Sequence, residues 1–258
     1  MSVRRHGPNL LLAAWAVLLF GGFVFGPADD SAGRMPVWTR LGSSLALVAF
    51  AWVAHLVCRA GPIARFSLFL ALGMTCGFVG DVLLSGALPG GENVLAGIAA
   101  FGLGHVFYIS APVHWGRRAG LRDARARAWG LAVWLVIGAM GWYVVVFRGQ
   151  EATVLHWAAL PYALLLAGTA GVATGIALQE RMFLPLALGA ALFLVSDLIL
   201  AAGLFNDMEF HLSGDVIWFT YGIGQMLIVT SVGAARHSAS AAPVASGRPP
   251  ADVEGAAG

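Results

Sequence analysis

Eight stretches of this chain are apolar for long enough to cross a lipid bilayer, and that restricts the fold more than any other feature. The hydrocarbon core of a membrane takes roughly 20 consecutive apolar residues of helix. Runs near that length occupy residues 10–25, 41–58, 62–84, 94–113, 128–147, 154–178, 183–205 and 216–234. Inside lipid a backbone amide finds no water, so each run has to close its own hydrogen bonds as a helix. The expected fold is therefore all-α, a polytopic transmembrane bundle of about eight spans. Composition agrees, with 59% hydrophobic and only 11% charged residues and a mean hydropathy of +0.80, against roughly 25% charged residues in a soluble domain. The expected organisation is an eight-helix domain over 1–236 and a disordered tail over 237–258, where small residues and proline (SASAAPVASGRPPADVEGAAG) cannot build a core.

The charges set orientation. All fifteen basic residues are arginines. With the N-terminus cytoplasmic, only Arg34, Arg40 and Arg148 fall outside and the other twelve fall inside, which is the asymmetry that orients polytopic proteins. Both termini are then cytoplasmic, and the expected location is the cell membrane, as in a bacterial inner membrane. Arg4 and Arg5 before the first run also suggest a cleaved secretory or twin-arginine leader. Against that, the run is long for such a leader and no A-x-A site follows it. The arginines are scattered over short loops, so nucleic acid is not an expected partner. Cys58 and Cys76 both lie in apolar runs and offer neither a disulfide framework nor a CxxC metal site.

Four ionisable residues stand at membrane depth: His55, Asp81, His105 and Asp197. Each costs at least roughly 2.5–3.5 kcal/mol on insertion scales and therefore turns inward or toward water. Helical spacing sorts them. Phe101, Gly104, His105 and Tyr108 share one face of the fourth helix, and Gly73, Gly77, Gly80 and Asp81 form a stripe without bulk on the third. Gly189, Phe193, Ser196 and Asp197 line up on the seventh, and Tyr221, Gly224, Gln225 and Ile228 on the eighth. Four small-and-polar faces are expected to converge on one pocket between the midplane and the outer surface. His55, His156 and Asp215 are expected to be structural or interfacial. Ser196 and Asp197 are sequence neighbours pointing about 100° apart, which argues against a direct nucleophile–base pair.

Two carboxylates in such a pocket suit acid-catalysed cleavage of an acetal-like bond. No Gly-x-Ser-x-Gly elbow is present. His105 with Asp81 and Asp197 could hold zinc, but the usual ligand spacing is missing, so no metal and no cofactor are expected. The pieces GDVLL, FGLGHVFYI, LFLVSDLILA and TYGIGQMLIV, in that order and on helices three, four, seven and eight, resemble the YhhN-like lysoplasmalogenase family. The chain departs from that pattern at Val79 and at Gly222. The resemblance implies a membrane ether hydrolase that cleaves the vinyl ether of lysoplasmalogens to a fatty aldehyde and a glycerophospho-headgroup. A lysophospholipid would be the substrate and membrane lipid the surroundings; oligomeric state is left open. It also implies Asp81 and Asp197 as the catalytic pair. His105, Tyr108, Ser196, Tyr221 and Gln225 would position water or substrate, and Asp197 would be the proton donor because it lies deeper in apolar surroundings. Two other classes fit the same residues: a proton-coupled permease, and a scaffold pinned by buried polar groups. Against the permease stands the expectation that the chain has no internal repeat of corresponding helices.

Overall fold

The computed structural model describes residues 3–27, 33–149, 151–208 and 210–241. Among them, eight helices are long and apolar enough to cross a membrane. They are α1 (Val3–Phe25), α2 (Val37–Cys58), α3 (Ala64–Leu84), α4 (Val94–Arg118), α5 (Ala124–Gly141), α6 (Val154–Ala177), α7 (Leu184–Asn206) and α8 (Ser213–Thr230). A π-helical stretch, Trp142–Phe147, prolongs α5, and a 3-10 turn, Arg181–Phe183, leads into α7. Beyond α8 a further helix, α9 (Val232–Ala241), continues the last span. The first residues of the expected disordered tail are thus helical, and 242–258 lie outside the described residues.

Polar residues start three of these helices, α4, α5 and α6. Asn93 accepts from the Ala96 amide at the head of α4, and Asp123 accepts from the Arg125 and Ala126 amides at the head of α5. Such caps satisfy amides that have no partner inside the helix. His156 has the same use: its Nδ1 accepts from the Thr153 amide at 3.3 Å, and the side chain is buried. His55 bonds Ser67 Oγ at 3.1 Å, joining α2 to α3. Asp215, in the first turn of α8, is turned into the protein. It is 1% exposed and accepts from the amides of Arg34 (2.6 Å) and Met35 (2.9 Å), tying the start of α8 to the strap ahead of α2. Asp215→Ala strands both amides in a buried place. The expected loss is about 1–3 kcal/mol for each unsatisfied donor, read as a lowered unfolding temperature in detergent.

Six helices close a ring. In order α2, α3, α4, α6, α7 and α8 pack side by side, and α8 returns to α2. The two remaining spans lie outside it: α1 rests on α2 and α8, and α5 with its π-helical extension rests on α6 and α7. This arrangement maps onto itself when the first four helices are matched with the last four. Neighbours α1–α2, α2–α3 and α3–α4 correspond to α5–α6, α6–α7 and α7–α8, and the junction α4–α6 corresponds to α8–α2. Four spans per half keep the two halves parallel, related by an axis along the membrane normal.

The sequence carries the same duplication, contrary to the expectation of no internal repeat. LFLALGMTCGFVGDVLL (68–84) and LPLALGAALFLVSDLIL (184–200) share Leu68/Leu184, Leu70/Leu186, Ala71/Ala187, Leu72/Leu188, Gly73/Gly189, Val79/Val195, Asp81/Asp197 and Leu84/Leu200. Eight identities in seventeen positions, one of them a rare intramembrane aspartate, exceed what shared hydrophobicity produces. FGLGHVFYI (101–109) and YGIGQMLIV (221–229) follow at similar distances. Packing follows the same correspondence. A Cβ at Gly104 would lie 3.0 Å from the Gly73 carbonyl oxygen, and one at Gly224 would lie 2.7 Å from that of Gly189. Each half therefore joins its third and fourth helices at a glycine pair.

Candidate active site

Asp81 is buried inside the ring, one turn before the end of α3. Its Oδ2 accepts from Ser44 Oγ of α2, and from Tyr221 Oη of α8 at 2.9 Å. Behind Tyr221 the donors run in one direction. Tyr108 Oη donates to Gln225 Oε1 at 2.6 Å, and Gln225 Nε2 donates to Tyr221 Oη at 3.1 Å. Tyr221 then passes its own proton toward the carboxylate. Every member of this chain is buried, so each bond operates at low dielectric and reinforces the next.

The glycine stripe on α3 exists to admit these side chains. A Cβ at Gly73 would strike the Tyr108 ring at 2.4 Å, one at Gly77 would lie 2.8 Å from Gln225 Nε2, and one at Gly80 would lie 2.6 Å from the Phe101 ring. Of the other polar residues on α3, Thr75 lies outside the cluster and accepts from Trp52 Nε1.

Asp197 sits at the corresponding place on α7 and is half-buried. Its Oδ2 accepts from Tyr162 Oη of α6, just as Asp81 accepts from Ser44 of α2. Ser196 Oγ does lie within 3.1 Å of Asp197 Oδ1, so the contact that helical geometry argued against is made. The Ser196 hydroxyl is also 2.7 Å from the Phe193 carbonyl, to which it donates. A serine whose proton is held by its own helix is not a nucleophile in waiting.

His105 is 1% exposed, and its Nδ1 is 2.9 Å from Thr169 Oγ1 of α6. Its ring packs against Phe193 with centroids 4.6 Å apart, and edge-on toward Tyr108 (5.9 Å) and Tyr162 (6.1 Å). Phe101, Phe193 and Tyr221 meet edge to face between the two aspartates.

The expected convergence of helices three, four, seven and eight is therefore incomplete. Asp81, Tyr108, Tyr221 and Gln225 form one cluster from α3, α4 and α8, joined by Ser44 from α2. Asp197 and Ser196 form a second with Tyr162 from α6, and His105 stands beside both. Burial runs opposite to expectation, since Asp81 is the more enclosed aspartate. Tyr162, Thr169 and Ser44 were not singled out from the sequence, although Tyr162 and Thr169 stand seven residues apart on one face of α6 and Ser44 stands four residues after Arg40. Among the described residues no group of three His, Cys, Asp or Glu side chains is placed to hold a metal ion. Arg34, expected on the outer side, turns its guanidinium to the Val24 and Gly26 carbonyls at the end of α1.

Tyr221→Phe removes one of two donors from Asp81 and leaves Gln225 Nε2 without its acceptor. A hydrogen bond to a charged group contributes about 1.5–3 kcal/mol. A tenfold to hundredfold fall in turnover is expected with the fold retained, measured against unaltered protein in the assay described below.

No curated protein and no solved structure matches the chain. Residues 36–232, which run from the residue before α2 to the first residue of α9, match the YhhN family model. With two aspartate-centred clusters inside a ring of six transmembrane helices, this multi-pass membrane protein belongs to the YhhN family.

Proposed function

We propose that this chain is a membrane-embedded hydrolase that cleaves the vinyl ether bond of lysoplasmalogens, with Asp81 and Asp197 as the catalytic pair. One observation carries the reading: two intramembrane aspartates occupy corresponding places in the two halves, each held by a hydroxyl from the preceding helix of the ring.

The chemistry asks for an acid and a base in a partly dry site. Asp197 gives its proton to the outer alkene carbon of the vinyl ether, leaving an oxocarbenium ion at the carbon that bears oxygen. Water adds to that carbon while Asp81 takes a proton from it, forming a hemiacetal. The hemiacetal C–O bond then breaks to give the fatty aldehyde, and the departing glycerol oxygen takes up the proton Asp81 received. A second proton, from the hemiacetal hydroxyl, restores Asp197.

Depth does not support this division of roles, because Asp81 is the more enclosed; donor direction does. Asp81 has two donors on one oxygen, with two further side chains, Gln225 and Tyr108, hydrogen-bonded in line behind one of them, which favours a carboxylate that stays charged and opposes a cation. Asp197 has one dedicated donor and a serine whose proton points elsewhere, so its second oxygen is suited to carrying a proton.

Asp81, one turn from the end of α3, lies toward the side of the bundle that bears the α3–α4 connection. With both termini cytoplasmic, that is the outer leaflet of a bacterial inner membrane. A single-chain lipid slides its tail between helices and leaves its phosphate at the surface.

The internal duplication favours one rival, a proton-coupled permease, since parallel halves around midmembrane carboxylates are also a transporter architecture. The two separate in one experiment. The purified chain in detergent, given lysoplasmenylethanolamine, is expected to release fatty aldehyde. Absence of aldehyde, together with proton uptake by proteoliposomes on addition of a solute, overturns the hydrolase in favour of the permease.

A further inference from the structure

Among the places where the two halves differ, one falls on His105 and its neighbour one turn earlier. In the half containing α8, Gln225 finds a partner for its side-chain nitrogen in Tyr221, four residues earlier. In the half containing α4, His105 stands where Gln225 does and Phe101 stands where Tyr221 does. Phenylalanine has no hydroxyl. Among the described residues, His105 Nε2 is accordingly buried without a hydrogen-bond partner, the residue being 1% exposed.

The free nitrogen is an acceptor. Thr169 Oγ1 lies 2.9 Å from the Leu165 carbonyl of its own helix and 2.9 Å from His105 Nδ1. With its single proton on the carbonyl, the usual arrangement for threonine in transmembrane helices, the hydrogen that joins the two belongs to Nδ1, an assignment that the nitrogen resonances in the test below read directly. A neutral imidazole with Nδ1–H has a bare lone pair on Nε2. A buried acceptor left unmade is unfavourable, and proteins leave such groups where a water or a ligand completes them. The completing group has to be a donor, and an uncharged one in apolar surroundings: an O–H.

Its place narrows the source. The imidazole lies against Phe193 and edge-on to both Tyr162, which holds Asp197, and Tyr108, which begins the chain to Asp81. A hydroxyl on Nε2 therefore sits beside the acid and near the base. A lysolipid has one such group, the free secondary hydroxyl of glycerol, on the carbon next to the one that bears the vinyl ether. A two-chain lipid has none, because that oxygen is acylated.

We propose that His105 Nε2 accepts the free glycerol hydroxyl of a lysolipid and so selects single-chain over two-chain lipids. The identity of the lipid rests on the hydrolase reading above; the existence of a hydroxyl-accepting site on His105 does not.

The test uses two inert ligands, a saturated alkyl-ether lysophosphoethanolamine and the same lipid with its secondary hydroxyl O-methylated. With 15N-histidine-labelled protein in detergent, the His105 Nε2 resonance is identified by its absence from His105→Gln. The hydroxyl lipid is expected to move it, the O-methyl lipid to leave it in place, and the two to differ about tenfold in affinity, the size of one net hydrogen bond. In His105→Gln that preference is expected to shrink to within about twofold. If His105→Gln does not fold, the tenfold preference of the unaltered protein decides. Equal affinity of the two lipids overturns the proposal. So does a resonance that already shows a hydrogen-bonded nitrogen and moves with neither lipid, which assigns the site to water. Discrimination between the lipids without aldehyde release from the vinyl ether leaves His105 as a lipid-hydroxyl site and overturns the hydrolase reading alone.

Discussion

Asp81→Asn and Asp197→Asn are each expected to release fatty aldehyde from lysoplasmenylethanolamine about 10²–10⁴-fold more slowly than the unaltered chain, the range for loss of a general acid or base. Asparagine matches aspartate in volume, so the ring around it need not move. At position 81 the amide oxygen still accepts from Ser44 and Tyr221, but no anion remains to face an oxocarbenium ion or to take a proton from water. At position 197 the amide still accepts from Tyr162, but it has no acidic proton to give to carbon. Proton transfer to carbon is slow, so the unaltered enzyme is expected to turn over more slowly in heavy water. Full activity in either folded variant would sink the two-aspartate mechanism. Loss of folding in both would return the aspartates to the role of structural pins.

The second large effect is on assembly. Gly224→Val is expected to abolish the folded protein, and Gly224→Ala to lower its stability by at least the roughly 1–3 kcal/mol typical of overpacking. A Cβ at 224 would lie 2.7 Å from the Gly189 carbonyl oxygen and 3.2 Å from the Phe193 nitrogen. Both are backbone atoms, which cannot rotate aside, so α7 and α8 would have to separate. Separation pulls Tyr221 and Gln225 away from Asp81, so activity is expected to fall with stability. Gly203→Ala on the same α7 is the control, because nothing lies within 4 Å of a Cβ there. That change is expected to be neutral or mildly stabilising, since glycine inside a helix is less favourable than alanine by about 1 kcal/mol. Thermal unfolding of the three variants in one detergent separates the cases. A Gly224→Ala protein as stable as Gly203→Ala would refute the close approach of α7 and α8.

Much of the fold was legible because lipid leaves so few options. Eight apolar runs become eight helices: α4 and α6 start where expected, at 94 and 154, and α5 starts four residues early, behind its Asp123 cap. Asp81, Tyr108, Tyr221 and Gln225 could be found because each lies four residues, or one helical face, from a glycine or another polar group. Tyr162 is harder to read, since the next polar residue on its face, Thr169, lies two turns away, and only a partner on another helix gives it a use. The halves were hidden for a different reason. Repetition in a membrane protein is diluted by the leucine and alanine that every span shares, so it shows only at the few positions where chemistry or close packing restricts the residue.

The ring of helices also has an order of birth. Its last seam joins α8 to α2, and the bond from Tyr221 to Asp81 spans 140 residues. Translation at about 5–20 residues per second takes roughly 7–28 s to cover that distance. Throughout that interval Asp81 has been made and inserted while its tyrosine and the glutamine behind it do not yet exist. The growing chain carries an incompletely solvated carboxylate in the bilayer until its final span arrives. A ribosome that stops before α8 therefore leaves behind a protein that is not merely inactive but visibly unfinished to any membrane quality control that responds to exposed polar groups.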